Sequence, residues 1–272
     1  MAHATGVDYL KKDALPLMWC SGCGGGIVLS ALLRALEELA YKKNEFVIVT
    51  GIGCWGKADD FLSTNALHTT HGRALTYATG IKGANPKIHV IVLMGDGDGA
   101  TIGGNHLIHS ARRNMDLTAI IVNNYNYGMT GGQFSATTPA DKITSTSVVG
   151  NPERAFDLCK LVEAAGANYV ARETAYNGMA IQHHIKEGLK KKGFSLIEVI
   201  SPCTTLFGPK NQMKQPVKMM EWLKEKGVPI SKFDQIENAA EKGYFLTGKL
   251  VDKDEPDFTT RYEQMRSRIN KV

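Results

Sequence analysis

The chain has 272 residues, 43% apolar and 22% charged, with a formal net charge of +5, which is the balance of a soluble globular protein able to bury a sizeable core in one large domain or two small ones. Its densest basic run, Lys190–Lys192, reads as a solvated helix end, so nucleic acid is not an expected partner. No stretch approaches the ~18 apolar residues of a membrane span, and the N-terminal segment lacks the apolar core of a secretory signal, so a cytoplasmic location is expected.

In chain order, Cys20 and Cys23 form a C-x-x-C unit, and "IVLSALLRALEELAY" after Gly26 has the 3.6-residue period of an amphipathic helix. "FVIVT" (Phe46–Thr50) is a short, wholly apolar run suited to a buried parallel strand. The loop "GIGCWGKADDFLSTNALHTTHGR" leads to a helix over Ala74–Ala84, then a strand over Ile88–Gly95. "TIGGNHLIHSARRN" predicts a helix and Leu117–Asn124 a strand. A polar Gly- and Thr-rich stretch spans Tyr125–Asn151. A helix (Pro152–Ala165), a short strand ("NYVA"), a helix (Tyr176–Lys192) and a strand (Phe194–Ile200) follow. From about Thr204 onward no further strand run is visible, only isolated aromatics and short helical pieces.

Alternating strands and helices predict an α/β fold: an open, mostly parallel sheet with helices on both faces, over residues 1–203. Residues 204–272 read as a C-terminal extension or an arm packing on a partner. In such sheets ligands bind at the carboxyl ends of strands, where "TGIGC", "GDGD" and "NNYNYG" all fall. An aspartate at a strand end among glycines can place a carboxylate on a hard cation while backbone N–H groups remain open to phosphate. Magnesium binds through one or two protein oxygens plus phosphate oxygens. Asp96, the amide oxygen of Asn124 and the carbonyl of Asn126 suit that need. A helix N-terminus near Thr101 favours a diphosphate at the same place.

Five cysteines in a non-secreted chain argue against a disulfide framework. Cys159 sits at helical spacing with Phe156 and Val162 and reads as packing. The other four lie in loop-like contexts, and by count alone four thiolates hold zinc or iron–sulfur equally well. The histidine pairs His68 with His71 and His106 with His109 read as partly buried polar residues rather than metal ligands.

GDG, twenty-five residues, then NN resembles the thiamine diphosphate fingerprint. With "CSGCG", "GIGCWGK", "HGRALTYATGIKGANP", "NNYNYGMTGGQ" and "SPC", the chain resembles the beta subunit of a 2-oxoacid:ferredoxin oxidoreductase over roughly Leu15–Lys224. The resemblance implies Asp96, Asn124 and the Asn126 carbonyl as magnesium ligands. It implies Ile52, Gly53, Cys54, Trp55, His71, Gly72, Arg73 and Ala74 along the thiamine diphosphate pocket, with Gly97, Asp98, Gly128 and Met129 around the diphosphate and thiazolium. Cys20, Cys23, Cys54 and Cys203 match the family's ligands to a [4Fe–4S] cluster. Cys54 lies inside the segment expected to touch the organic cofactor, where a redox-active cluster has a use and a redox-inert zinc has none. Lys57 and Arg73 are candidates for contacting a substrate carboxylate, and His71 is the remaining catalytic candidate.

The implied activity is coenzyme A-dependent oxidative decarboxylation of a 2-oxoacid, reversible, with electrons passed to ferredoxin. "GDGDGATIGGNH", "NNYNYGMTGGQ" and "FGPKNQM" resemble most the branch acting on 2-oxoglutarate. Gly131 in "TGGQ" also resembles pyruvate-type enzymes, and pyruvate or branched-chain 2-oxoacids are the alternatives. No second thiamine-type domain is present, so the resemblance implies an alpha subunit carrying the pyrimidine-binding domain and its acidic group. A reading of another class is a diphosphate-binding module stabilised by zinc.

Overall fold

The computed structural model describes residues 5–239 and 242–269. Its strands are β1 (Phe46–Thr50), β2 (Ala66–His68), β3 (His89–Gly95), β4 (Thr118–Asn123), β5 (Tyr169–Thr174), β6 (Ser195–Ile200), β7 (Gly227–Pro229) and β8 (Phe245–Asp252). They form one sheet in the order β2-β1-β3-β4-β6-β5-β8-β7. All pairings are parallel except β5 with β8. The helices are α1 (Gly25–Glu38), α2 (Ala74–Ala84), α3 (Gly104–Arg112), α4 (Leu158–Ala165), α5 (Gly178–Lys190), α6 (Phe207–Lys210), α7 (Pro216–Lys226), α8 (Ile230–Phe233) and α9 (Phe258–Ile269).

Because successive strand side chains point to opposite faces, each central strand feeds two cores. Phe46, Ile48, Ile91, Leu93, Ile120, Val122, Ile197 and Val199 pack with α1 and α5 on one face. Val47, Val49, Val90, Val92, Ala119, Ile121 and Leu196 pack with α2, α3 and α4 on the other. Burial on both faces is why β1 and the middle of β4 are continuously apolar, and why the one charge inside β6, Glu198, is fully partnered. The registers place Thr50 beside Leu93, Gly95 beside Val122 and Asn123 beside Ile200. The loops leaving β1, β3, β4 and β6 therefore emerge side by side. None of the described helices is long and apolar enough to cross a membrane.

Three expectations need correction. The segment after Thr204 does carry strands: β8 pairs antiparallel with β5 over Tyr169–Arg172, and β7 pairs with β8. Its uneven exposure is that of a strand only partly covered by the core, and Gly248 at φ 105° interrupts the apolar pattern. The helix expected from Pro152 starts at Leu158. Upstream, Asn151 accepts from the Glu153 amide and donates to the Thr138 carbonyl, and Phe156 N donates to Ala136 O, so those backbone groups are committed to the loop. The helix expected from Thr101 is split into a π-helical turn over Gly97–Ile102 and α3. Such turns recur at functional sites.

Candidate active site

At the carboxyl edge of β1, β3, β4 and β6 lies a cavity of about 340 Å³, within the size range of small-molecule sites. Its walls include Asp96, Asn124 and Asn126, and also Cys20, Cys23, Cys54 and Cys203. The two constellations, a member of one lying up to 107 positions in sequence from a member of the other, thus share one space.

Asp96 follows β3 and is 1% exposed. Its Oδ2 accepts from Ser135 Oγ at 2.5 Å and Thr137 Oγ1 at 2.6 Å, and its Oδ1 from the Asn124 amide at 3.1 Å. Burial pushes this carboxyl up; the hydroxyl and amide donors pull the other way. Ser135 and Thr137 come from the polar loop after β4, and sequence reasoning gave them no role. Asn124 Oδ1 accepts from the Asn126 amide at 3.1 Å, closing a side-chain turn. Tyr125 between them has φ 66°, a left-handed conformation unusual for an aromatic residue, held by Thr138 Oγ1 donating to its carbonyl at 2.6 Å. Both amide atoms of Asn126, itself 3% exposed, are buried without a partner on this cavity wall. Such atoms suit a polar ligand.

Glycine is obligatory at two points. A Cβ on Gly97 would fall less than 3 Å from three carbons of the Tyr127 ring, and one on Gly51 would overlap the Asp98 carboxylate.

The cysteine loops are tied to the Asp–Asn site by backbone. Cys203 N donates to Asn124 O at 3.0 Å and Ser201 N to Asn123 O at 2.8 Å. Ser201 Oγ donates to Cys23 O, and Trp19 Nε1 donates to Cys54 O at 2.7 Å. Thr205 Oγ1 lies 3.5 Å from Cys203 Sγ and 4.0 Å from Cys20 Sγ, so those sulfurs are within about 7.5 Å of each other. Burial, then the neighbouring Cys203, Cys23 and Cys20, pushes the Cys54 thiol up to about 11. Burial, aided by the neighbouring Cys20 and Cys203, also raises Cys23 against the pull of the Gly25 amide. Cys54 and Cys23 therefore resist ionising until a positive centre compensates them. Cys159 stands apart, 2% exposed, donating to Glu198 Oε2 at 3.3 Å.

Of the other sequence candidates, Ile52, Gly53, Trp55, His71, Gly97, Gly128 and Met129 line the cavity; Gly72, Arg73, Ala74, Asp98 and Lys57 do not. Lys57 pairs with Asp60 at 2.6 Å on the surface. The histidines meet separate partners: His68 meets Thr50 Oγ1 and Asp59, His71 meets Asp98, and His109 accepts from Arg112. Among the described residues, no three His, Cys, Asp or Glu side chains are drawn together closely enough to hold a metal ion by themselves. A single carboxylate with amide and diphosphate oxygens could still hold magnesium, since that ion uses few protein ligands.

Residues 51–199 match the thiamine pyrophosphate enzyme, C-terminal TPP binding domain family. This makes the chain a thiamine diphosphate-binding α/β protein, the class to which the glycine-lined strand ends and the Asp–Asn edge are suited. It is 45% identical over 266 residues to 2-oxoglutarate synthase subunit KorB of Methanocaldococcus jannaschii, covering 98% of this chain and 97% of that protein. It is 50% identical over 218 residues to the protein of that name from Archaeoglobus fulgidus, covering 80% and 79%. Among solved structures it resembles 2-oxoglutarate:ferredoxin oxidoreductase from Magnetococcus marinus, with a TM-score of 0.86, 29% identity, and 99% and 92% of the two chains covered. The chain belongs to the beta subunits of the 2-oxoacid:ferredoxin oxidoreductases, and is thus one subunit of an oxidoreductase.

Proposed function

We propose that this subunit serves the coenzyme A-dependent oxidative decarboxylation of 2-oxoglutarate to succinyl-CoA, reversibly, with ferredoxin as electron partner. The substrate is supported by the names of the relatives and by the solved relative, which is described with 2-oxoglutarate, coenzyme A and succinyl-CoA bound. The observation that carries the reading is the shared cavity, where a diphosphate-and-metal edge and four cysteines face the same volume.

In this reading Asp96, Asn124 and the Asn126 carbonyl hold magnesium, which in turn holds the diphosphate of thiamine diphosphate. Ser135 and Thr137 keep Asp96 aimed while leaving oxygen lone pairs for the ion. Ile52–Trp55 and His71–Ala74 form the wall and its support, with Gly97, Gly128 and Met129 near the diphosphate and thiazolium. Cys20, Cys23, Cys54 and Cys203 hold a [4Fe–4S] cluster. Bound together, these groups supply an electron sink for decarboxylation and an outlet for single electrons. The protein's part is to keep both in one water-poor cavity, with the Cys203–Asn124 backbone bond fixing their spacing. Lys57 and Arg73 reach a substrate carboxylate only if their loops shift, since neither lines the cavity.

The acidic group that thiamine chemistry needs is supplied by an alpha subunit carrying the pyrimidine-binding domain. Residues 1–203 form the cofactor-binding unit, and 204–272 serve as an extension bracing the sheet edge or that partner; the complex is cytoplasmic. The test is an anaerobic assay of the complex reconstituted with its partner, against a panel of 2-oxoacids with coenzyme A and a viologen acceptor. Turnover highest with 2-oxoglutarate, and none by this subunit alone, is the expected result. Preference for pyruvate or a branched-chain acid would overturn the substrate, and full turnover by this subunit alone would overturn the divided site.

A further inference from the structure

Asp98 is one of the most deeply placed carboxylates of the chain, 2% exposed, yet it does not line the cavity. A single oxygen, Oδ1, accepts three hydrogen bonds: from the Gly72 amide at 2.6 Å, the Ile52 amide at 3.3 Å and His71 Nδ1 at 2.5 Å. The other oxygen is buried without a partner against Gly51. The Asp98 carbonyl also accepts from Gly103 N at 2.9 Å, fixing the π-helical turn that carries the carboxylate.

Two of the three donors belong to different loops. Ile52 follows β1 and Gly72 precedes α2, with nineteen residues, including β2, between them. One carboxylate oxygen thus sets the width between them. The third donor has a chemical consequence. Oδ1 already accepts from two backbone N–H groups and so is an acceptor oxygen, which makes Nδ1 of His71 the donor in their contact. In the neutral ring this leaves Nε2 as a bare acceptor, and His71 lines the cavity, with Tyr127 edge-on to its ring at 6.0 Å between centroids. Nε2 makes no hydrogen bond among the described residues.

We propose that Asp98 is a positioning residue, which clamps the Ile52 and His71 loops together and fixes the His71 tautomer so that Nε2 is offered to the cavity as a hydrogen-bond acceptor. The natural occupant is a donor on the bound cofactor or substrate, such as an amine or hydroxyl. This rests on the proposed function only for what fills the cavity; the clamp and the tautomer are properties of the protein alone.

The test combines two readouts. Long-range ¹⁵N–¹H correlation spectra of the full chain, with His71 assigned by the signal lost in His71→Gln, report the tautomer without any cofactor. The expected result is Nδ1–H in the unmodified chain and in Asp98→Asn, whose amide oxygen can replace Oδ1, and loss of that preference in Asp98→Ala. Thiamine diphosphate affinity of the reconstituted complex should fall about ten- to a hundredfold in Asp98→Ala, the range for losing charge-assisted hydrogen bonds, and by less in Asp98→Asn. A hydrogen on Nε2 in the unmodified chain would overturn the inference, and so would an Asp98→Ala protein with unchanged tautomer and affinity. Should Asp98→Ala not fold, the tautomers of the unmodified chain and of Asp98→Asn decide. An Nδ1–H His71 in a complex that binds no thiamine diphosphate would refute the proposed function and leave the clamp standing.

Discussion

Glu198 of β6 offers a sharp test of how the buried polar network supports the site. It is 1% exposed and accepts from three directions: Asn123 Nδ2 at 2.8 Å on Oε1, and Arg172 Nε at 2.7 Å and Cys159 Sγ at 3.3 Å on Oε2. The guanidinium of Arg172, itself 6% exposed, is shared with Asp157 at 2.5 Å. Removing one partner of a buried ion pair costs about 3–5 kcal/mol, because the remaining charge has no water to return to. Glu198→Ala would also orphan the Asn123 amide, worth about 1–3 kcal/mol. Asp157 retains part of the compensation, so we expect a loss of about 3–5 kcal/mol in all, a large share of the ~5–15 kcal/mol of a typical domain. Urea unfolding of the full chain measures it. Replacing both partners with apolar residues, Glu198→Leu with Arg172→Met, should recover much of the loss. Because Asn123 precedes the Asn124 turn, Glu198→Gln, which keeps an acceptor for that amide, should preserve thiamine diphosphate affinity better than Glu198→Ala. A cost below about 1 kcal/mol for Glu198→Ala, or a double variant no more stable than the single one, would refute the reasoning.

Gly97→Val should drive the Tyr127 ring from its place and lower thiamine diphosphate affinity by more than about tenfold, while Gly80→Ala, where a Cβ meets open space, should leave it unchanged; calorimetry on the complex checks both. Burial pushes the Asp157 carboxyl up, but the charge and hydrogen bond of Arg172 outweigh it and hold it below its usual value. A depressed carboxylate contributes stability above its unfolded pKa of about 3.9, and loses it as pH falls through the lower folded value. Thermal midpoints should therefore drop less steeply below about pH 4 in Asp157→Asn than in the unmodified chain; parallel profiles would count against the pairing.

The central strands could be read from residues alone because both their faces are buried: β1 was bounded to the residue, and β4 and β6 to within one residue at each end. The exposed strand β2 offered no such signal, since all three of its residues are open to solvent. β8 was hidden for the same physical reason, one side of it facing solvent. At the site, Asp96 and Asn124 stood out because acid and amide at strand ends are chemically conspicuous. Ser135, Thr137 and Ser201 did not, because a hydroxyl in a polar loop gains meaning only when folding closes it onto a particular carboxylate or carbonyl. Asp98 was placed by its neighbours in sequence, whereas its contacts are set by loops 26 and 46 residues away.

The joining of a diphosphate site and a metal-sulfur centre in one cavity is the claim on which the rest depends. Its most direct test is iron, acid-labile sulfide and zinc analysis of the anaerobically prepared protein, beside its single cysteine variants. The account predicts about four irons and four sulfides per chain, lost on Cys54→Ala or Cys203→Ala and kept on Cys159→Ala, whose thiol is buried against Glu198. A colourless protein with one zinc and no sulfide, or iron retained without Cys54, would contradict it.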